Sequence, residues 1–197
     1  MHGIFSPRRV YDAGCGIGSY LEGFASLGCE IAGCELHWDI AGEFAAEPVR
    51  GVVRSHDLAT PLREPIHSDL TLSIEVAEHI DAAHASVVAR NICGVSSRYI
   101  VMTAAEPGQR GHGHINCQPK EYWEWKFGNN NFVLDKELTA EFIKEMKLGY
   151  HMGWLTNNVQ IFRGYGDVCY EQIIREETPQ AKRVASLIKK LHEEKKL

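Results

Sequence analysis

The stretch VYDAGCGIGSYLEGF, residues 10–24, decides the fold of this chain. It passes from an apolar run into a helix-like pattern through Gly14, Gly16 and Gly18, and Asp12 stands just before the first of these glycines. Glycine is needed where the backbone turns tightly or comes close to a ligand, because a Cβ atom would collide there. At the carboxyl end of a parallel strand, such a turn forms the crevice in which open α/β sheets bind ligands. The stretch therefore predicts a ligand-binding turn between a first strand, 8–14, and a first helix, 18–28.

Short apolar segments alternate with helix-like segments along the rest of the chain. We predict a second to a fifth strand at 29–36, 51–58, 68–80 and 97–105. The fourth strand, 68–80, runs into a helix near Asp81. Helices are predicted at 37–47, 119–128 and 135–149, and residues 153–164 are predicted as a final strand or hairpin. Repeated strand–helix–strand units imply an α/β fold with a parallel sheet that helices cover on both faces.

The composition is that of an ordinary soluble globular protein, with 197 residues, 44% of them hydrophobic and 24% charged. No apolar run reaches the length of a membrane span, and MHGIFSPRRV is too short and polar for a signal peptide, so we expect a cytoplasmic protein without a membrane partner. The net charge of −5 does not indicate nucleic acid as a partner, although it leaves room for a basic patch around Arg50, Arg54 and Arg63. The six cysteines form no CxxC pair and are expected to be reduced thiols.

Two further carboxylates stand at the ends of the next predicted strands. Glu35 follows the glycine turn by about 20 residues, where a carboxylate can accept hydrogen bonds from both hydroxyls of a ribose. Asp57 ends the third strand and can accept from an exocyclic adenine amine. The glycines alone do not exclude a turn that binds a nicotinamide cofactor. However, the third glycine comes two residues after the second, and Asp12 suits a ligand with a cationic amino group better than a pyrophosphate.

On these residues the chain resembles the class I S-adenosylmethionine-dependent methyltransferases, whose first motif is a similar D-x-G-x-G-x-G. The resemblance covers about residues 8–163 and implies a three-layer Rossmann-like sandwich with a seven-stranded, mostly parallel sheet that has one antiparallel strand. It implies S-adenosylmethionine as cofactor, with its methionine end at Asp12 and the glycines, its ribose at Glu35 and its adenine at Asp57. The residues expected to bind the cofactor are Asp12, Gly14, Cys15, Gly16, Gly18, Glu35, Leu36, Asp57, Leu58 and Glu75.

The two ends of the chain depart from this likeness. The family usually has a helix before the first strand that closes over the cofactor, whereas only about seven residues precede the strand here. We therefore expect an open cofactor site, or one covered by another segment or subunit. We place the methyltransferase domain at 1–168 and a C-terminal helical tail at 169–197. An apolar stripe in that tail either packs on the domain or pairs with a second copy, which makes a homo-oligomer a hypothesis; the stripe is Val184, Leu187, Ile188 and Leu191.

The fourth predicted strand ends in SIEVAEHI, residues 73–80, which brings Glu75, Glu78 and His79 to one side of the crevice. Two carboxylates and an imidazole suit a divalent ion that keeps positions open for substrate oxygens. The segment is similar to a motif in 2′-O-methyltransferases of small RNAs and in ubiquinone-pathway O-methyltransferases. By likeness to the RNA enzymes, a histidine after the fifth strand completes the metal shell, and His114 is the best match.

This likeness implies a site for Mg²⁺ or a similar ion at Glu75, Glu78, His79 and His114, with Glu78, His79 and His114 as catalytic residues. A metal-free alternative stays open, in which a glutamate touches the cofactor and His79 acts as a general base or merely packs. The Pro-Pro-aromatic turn of amino-methylating nucleic-acid enzymes and the Pro-Cys nucleophile of cytosine-C5 enzymes do not occur in the chain.

The stretch GQRGHGHINCQPKEYW, residues 108–123, follows the fifth strand. His112, His114 and Cys117 offer an alternative zinc site, which lacks a fourth ligand at short spacing. Trp123 and Phe127 lie at i and i+4 of a predicted helix and are expected in the core. That leaves Tyr122 and Trp125 as the pair that faces a ligand.

The predicted function is methyl transfer from S-adenosylmethionine to a hydroxyl oxygen of a small molecule or a chain end. Two alternatives belong to other classes: a non-catalytic subunit that binds S-adenosylmethionine, and a nicotinamide-dependent reductase.

Overall fold

Seven strands form one mixed sheet in the computed structural model, which describes residues 1–63, 67–149 and 153–165. They are β1 (Arg9–Ala13), β2 (Glu30–Glu35), β3 (Val53–Ser55), β4 (Ser68–Ile74), β5 (Ser96–Thr103), β6 (Phe132–Leu134) and β7 (Gln160–Gly164). Their spatial order is β3-β2-β1-β4-β5-β7-β6. The first five strands pair in parallel, and β7 runs antiparallel to both β5 and β6. This confirms the predicted seven-stranded, mostly parallel sheet with one antiparallel strand.

Helices cover both faces of this sheet. They are α1 (His2–Phe5), α2 (Ser19–Ser26), α3 (Trp38–Ala41), α4 (Glu47–Arg50), α5 (Ala85–Val95), α6 (Lys120–Gly128), α7 (Lys136–Gly149) and α8 (Gly153–Asn158). The apolar side chains of α1, α2, α4 and α7 pack on one face of the sheet, and those of α5 and α6 pack on the other. The fold is therefore the expected three-layer sandwich.

Three predicted elements differ in the structure. The helix predicted at 37–47 is broken into α3, a short 3₁₀ turn at Gly42–Phe44 and α4, because Pro48 lies in the first turn of α4 and cannot continue an earlier helix. The segment predicted as a strand or hairpin at 153–164 begins with α8, and only its second half is a strand. Strand β6 was not predicted, since three residues are too few to show a period.

The core contains Trp123 and Phe127, which are 2% and 0% exposed, as their helical spacing predicted. Five cysteines in the described ranges are free thiols: Cys15, Cys29, Cys34, Cys93 and Cys117. Within those ranges, no helix has the length and apolar character that a membrane crossing requires. Cys169, the predicted tail and its stripe at Val184, Leu187, Ile188 and Leu191 lie outside the described residues.

The N-terminal helix α1 packs against β5 and α7. The Phe5 ring lies 5.3 Å from the ring of Tyr99 and 6.0 Å from the ring of Phe142. No residue of α1 lines the cavity described below.

Candidate functional site

A cavity of about 530 Å³ opens at the carboxyl ends of β1, β2, β3 and β4. It is lined by Asp12, Gly14, Cys15, Gly16, Tyr20, Glu35, Leu36, His37, His56, Asp57, Leu58, Ile74, Glu75, Val76, His79 and Ile80. Every residue predicted to bind the cofactor is in this lining except Gly18. The sequence prediction did not include Tyr20, His37 and His56, which face the cavity from the segments that follow the glycine turn, β2 and β3.

The glycine turn has a backbone that other residues rarely adopt. Gly14, Gly16 and Gly18 have φ angles of +85°, +54° and +79°. A Cβ atom at Gly14 would lie 2.6 Å from Val76 Cγ2, and one at Gly18 would lie 2.4 Å from Val49 Cγ1. At Gly16 a Cβ would meet no atom within 4 Å. Gly14 and Gly18 are therefore needed for packing, whereas Gly16 leaves free space next to the cavity.

Asp12, at the end of β1, is the most buried acid of the cavity, with 1% of its surface exposed. Its Oδ2 atom has no hydrogen-bond partner among the described residues. Burial, and secondarily the nearby charge of Glu35, raises the pKa of Asp12 to about 7. A cationic group entering the cavity would supply both the missing donor and the missing charge.

Glu35, at the end of β2, stabilises the glycine turn by hydrogen bonding. Its Oε2 atom accepts a hydrogen bond of 2.9 Å from the backbone N–H of Gly16, and its Oε1 atom accepts one of 3.3 Å from the N–H of His37. Each carboxylate oxygen has a second lone pair, so the group can still accept from a ligand hydroxyl.

Asp57 lies in a loop that Asn91 of α5 holds in place. Asp57 Oδ1 accepts from the backbone N–H of Ala59 at 2.8 Å. The Asn91 amide, which is 5% exposed, donates to the carbonyls of Leu58 at 3.0 Å and Thr60 at 2.8 Å, and accepts from the N–H of Leu62 at 2.9 Å. Sequence reasoning missed Asn91, because nothing in a helical pattern shows which loop a polar side chain contacts.

Glu75 follows β4 in a strained backbone conformation, with a φ angle of +55°. Its N–H group lies 2.9 Å from Thr103 Oγ1 and 3.2 Å from the Thr103 carbonyl oxygen, which pins the backbone to β5. Its carboxylate lines the cavity, and Oε1 accepts a hydrogen bond of 3.1 Å from Asn158 Nδ2.

Three of the four predicted metal ligands converge beside the cavity. Glu78, His79 and His114 each offer a ligand atom within 4.8 Å of the others. The two imidazole rings meet edge to face at 5.0 Å. Glu75 does not belong to this group. The cluster therefore holds one carboxylate and two imidazoles, a donor set suited to borderline divalent ions.

Glu78 is fully buried within the cluster. Its Oε1 atom accepts from the backbone N–H of Ala105 at 3.2 Å, while no donor contacts Oε2 among the described residues. Burial raises the pKa of Glu78 to about 7, backbone hydrogen bonds oppose the rise, and the neighbouring Glu75 carboxyl adds to it by its charge and by a side-chain hydrogen bond. The two carboxyl groups therefore adjoin each other, and either a proton between them or a bound cation would satisfy the free oxygen of Glu78.

The loop after β5 is fixed against this cluster by its backbone. The N–H groups of Ile115 and Asn116 donate to the Glu78 carbonyl at 2.9 and 3.0 Å. His79 Nδ1 lies 3.2 Å from the Gly113 carbonyl oxygen, and a Cβ at Gly113 would lie 3.3 Å from the same nitrogen. These contacts bring His114 to His79.

The other candidates of this loop lie outside the cluster. Cys117 Sγ is 3.8 Å from His114 Nδ1, but the described residues contain no metal-binding group formed by His112, His114 and Cys117. Tyr122 packs against the core and Trp125 is 52% exposed, and neither lines the cavity. Lys126 Nζ lies 5.1 Å from the centre of the Tyr122 ring and 5.0 Å from that of Trp125.

Comparison with known proteins identifies solved structures of similar fold. No family model matches the chain, and no curated protein matches it. Among solved structures, it is similar to an amino pentose methyltransferase of Micromonospora echinaspora with S-adenosylmethionine bound, at 14% identity and a TM-score of 0.61 over 82% of this chain and 86% of that one. It is also similar to the O-methyltransferase of a trans-AT polyketide synthase multienzyme of Brevibacillus brevis in complex with S-adenosylhomocysteine, at 15% identity and a TM-score of 0.56 over 93% and 78% of the two chains.

A third similar structure, a 4+2 cyclase, shares 13% identity with a TM-score of 0.55 over 79% of this chain and 75% of that one. These likenesses establish that the chain has the Rossmann-like fold of the S-adenosylmethionine-dependent methyltransferases. At this identity the fold does not determine the reaction, so the activity has to be argued from the site.

Proposed function

We propose that this protein transfers a methyl group from S-adenosylmethionine to a hydroxyl oxygen of a small molecule or a chain end. The observation that carries the proposal is the cavity itself, which brings Asp12 at the end of β1 and the glycines after it together with the carboxylates of Glu35, Asp57 and Glu75. These groups stand at the ends of neighbouring parallel strands, the place where folds of this class bind nucleotide ligands.

The residues of the cavity fit the chemistry of this cofactor. The unpartnered Oδ2 atom of Asp12 would accept from the ammonium group of its methionine end. Glu35 would accept from the ribose hydroxyls and Asp57 from the adenine amine, with Leu36 and Leu58 beside the base. When bound, S-adenosylmethionine supplies a methyl group on a positively charged sulfur, so the protein has mainly to position the acceptor and exclude water.

The cluster of Glu78, His79 and His114 would orient the acceptor hydroxyl at the end of this cavity and accept its proton. With Nδ1 of His79 donating to the Gly113 carbonyl, Nε2 is left as the acceptor for the proton of the hydroxyl. His114 and the unpartnered oxygen of Glu78 would orient the hydroxyl or share the proton. This is a general-base arrangement that needs no metal.

The convergence of the same three side chains favours a second form of the mechanism, with a divalent ion. Glu78, His79 and His114 would hold the ion, whose chemistry is to polarise the hydroxyl and lower its pKa. Two imidazoles and one carboxylate suit Mn²⁺, Co²⁺ or Zn²⁺ better than the Mg²⁺ suggested by the sequence, since Mg²⁺ prefers oxygen ligands.

Cofactor binding tests the proposal first. Calorimetry and thermal shift with S-adenosylmethionine, S-adenosylhomocysteine, NAD and NADP should show binding of the first two only. Asp12→Asn should weaken S-adenosylmethionine binding at least tenfold, whereas Asp39→Asn, an exposed carboxylate outside the cavity, should bind like the parent. Binding of NAD instead would favour a reductase and overturn the proposal.

Methyl transfer and the metal are tested next. Incubation with labelled S-adenosylmethionine and a panel of hydroxyl and amine acceptors should label a hydroxyl. Tight cofactor binding without labelling of any acceptor would favour a non-catalytic subunit. If the ion is required, EDTA should abolish labelling, Mn²⁺ should restore it, and Glu78→Gln should lose Mn²⁺ binding by calorimetry. Full activity after EDTA and dialysis would leave the general-base form.

A further inference from the structure

Asn158 joins the cofactor cavity to the loop that carries His112 and His114. It is the last residue of α8, just before β7. Because β7 is antiparallel to β5, it begins at the edge of the sheet where β5 ends, and Gln160 pairs with Met102 there. The topology therefore brings Asn158 to the same edge as Glu75, which follows β4, and Gln109, which follows β5.

The Asn158 amide uses both of its N–H groups at this position. Nδ2 donates to Glu75 Oε1 at 3.1 Å and to Gln109 Oε1 at 3.0 Å. The residue is 3% exposed, so water does not compete freely for these bonds. A primary amide is the neutral side-chain group that offers two donors from one nitrogen, so it can bridge two acceptors without adding a charge.

The two acceptors belong to different halves of the site. Glu75 lines the cavity and sits on a strained backbone that Thr103 pins, so its side-chain direction depends on what the carboxylate contacts. Gln109 stands in the loop, where its N–H donates to the Glu106 carbonyl and its own carbonyl lies 3.9 Å from Cys117 Sγ.

We propose that Asn158 is a positioning residue, which holds the Glu75 carboxylate toward the cofactor and ties the loop 106–118 to it. This inference rests on the proposed function, because it takes the ligand of the cavity to be S-adenosylmethionine or its product. Cofactor binding and the order of the loop are then linked through one buried amide.

Two variants test this role with S-adenosylhomocysteine as the probe, so that no acceptor is needed. Asn158→Ala removes the amide, and Asn158→Asp keeps its shape while replacing both donors by acceptors. Asn157→Ala is the matched control, because Asn157 is the exposed neighbour in α8. Among the described residues its side chain makes no hydrogen bond, and its backbone carbonyl, which the substitution keeps, accepts from Lys120. We expect both Asn158 variants to bind S-adenosylhomocysteine about tenfold more weakly than the parent, and Asn157→Ala to bind equally well.

A second measurement separates positioning from support of the fold. Hydrogen exchange of residues 106–118 should slow when the parent or Asn157→Ala binds S-adenosylhomocysteine, and should not slow in Asn158→Ala at a saturating ligand concentration. Thermal unfolding of each variant, recorded alongside, ensures that affinity is compared well below its midpoint.

The outcomes are distinct. Parent-like affinity and parent-like protection of the loop in both Asn158 variants would overturn the inference and leave the proposed function intact. A lower unfolding temperature with unchanged affinity would also overturn it, since Asn158 would then only support the fold. Failure of the parent itself to bind S-adenosylhomocysteine would overturn the proposed function and this inference together.

Discussion

The carboxylate of Glu35 and the backbone N–H of Gly16 are joined by a hydrogen bond of 2.9 Å. The bond links the end of β2 to the glycine turn after β1, so the group expected to bind a ribose also shapes the loop expected to bind the methionine end. One residue thus supports both halves of the cavity.

Replacing Glu35 by glutamine should therefore weaken S-adenosylmethionine binding more than the loss of one ligand contact would. An amide has one acceptor oxygen, so the glutamine side chain cannot serve Gly16, His37 and a ribose together. We expect a loss of tenfold or more in affinity, measured by calorimetry, from the two or more hydrogen bonds affected. Glu22→Gln, an exposed change on α2, is the control. Equal affinity of Glu35→Gln and the parent would contradict this role.

The glycine positions make a prediction about stability. Gly18→Ala should lower the free energy of unfolding by about 1–3 kcal/mol, because its φ angle is +79° and the added Cβ would meet Val49 at 2.4 Å. Gly23→Ala, inside α2 with open space around it, should instead raise stability by about 0.5–1 kcal/mol. Urea unfolding measures both changes.

A partner substitution separates the clash from the backbone strain in Gly18→Ala. In a protein that already carries Val49→Ala, Gly18→Ala should lower the free energy of unfolding by less than it does in the parent, because the contact with the Val49 side chain is gone and only the backbone strain remains. Strictly additive losses would show that the backbone conformation accounts for the whole effect.

The sheet and most of the cavity lining were predictable because they depend on local patterns. An acid, a glycine turn and carboxylates at strand ends are readable along the chain, and parallel strands bring them to one edge. The misses come from contacts between distant residues. Asn158 lies 83 residues from Glu75 along the chain. It reaches Glu75 because 153–158 is a helix that leads into an antiparallel strand, where the sequence pattern predicted a strand or hairpin.

The cluster of Glu78, His79 and His114 was predictable only in part for a similar reason. Glu75, Glu78 and His79 have the spacing of one helical turn, but residues 77–79 form a 3₁₀ turn, and Glu75 precedes it with a φ angle of +55°. The carboxylate of Glu75 consequently reaches Asn158, while Glu78 and His79 meet His114. A sequence pattern does not show such a local change of backbone direction.

Asn91 should be necessary for the loop that carries Asp57. Asn91→Ala removes three hydrogen bonds to the backbone of Leu58, Thr60 and Leu62. The Thr60 carbonyl still lies 3.2 Å from His56 Nε2, so the main cost falls on the buried Leu58 and the half-buried Leu62. We expect a loss of about 2–3 kcal/mol in the free energy of unfolding and weaker binding of S-adenosylmethionine. Arg90→Ala, an exposed neighbour on α5, should change neither quantity. Unchanged affinity in a folded Asn91→Ala would show that the loop does not contribute to the cofactor site.

The raised pKa of Asp12 predicts how stability depends on pH. The pKa is about 7 in the native state against an ordinary value of 3.8, so between these values the unfolded chain loses the proton while the native protein keeps it. This group therefore makes the protein less stable as pH rises from about 4 to 7, by up to about 1 kcal/mol per pH unit, and adds no further change above that range. Asp12→Asn removes this dependence, so urea unfolding should show the variant gaining stability relative to the parent between about pH 5 and pH 7. A constant difference between the two proteins over that range would mean that Asp12 is ionised in the free native protein.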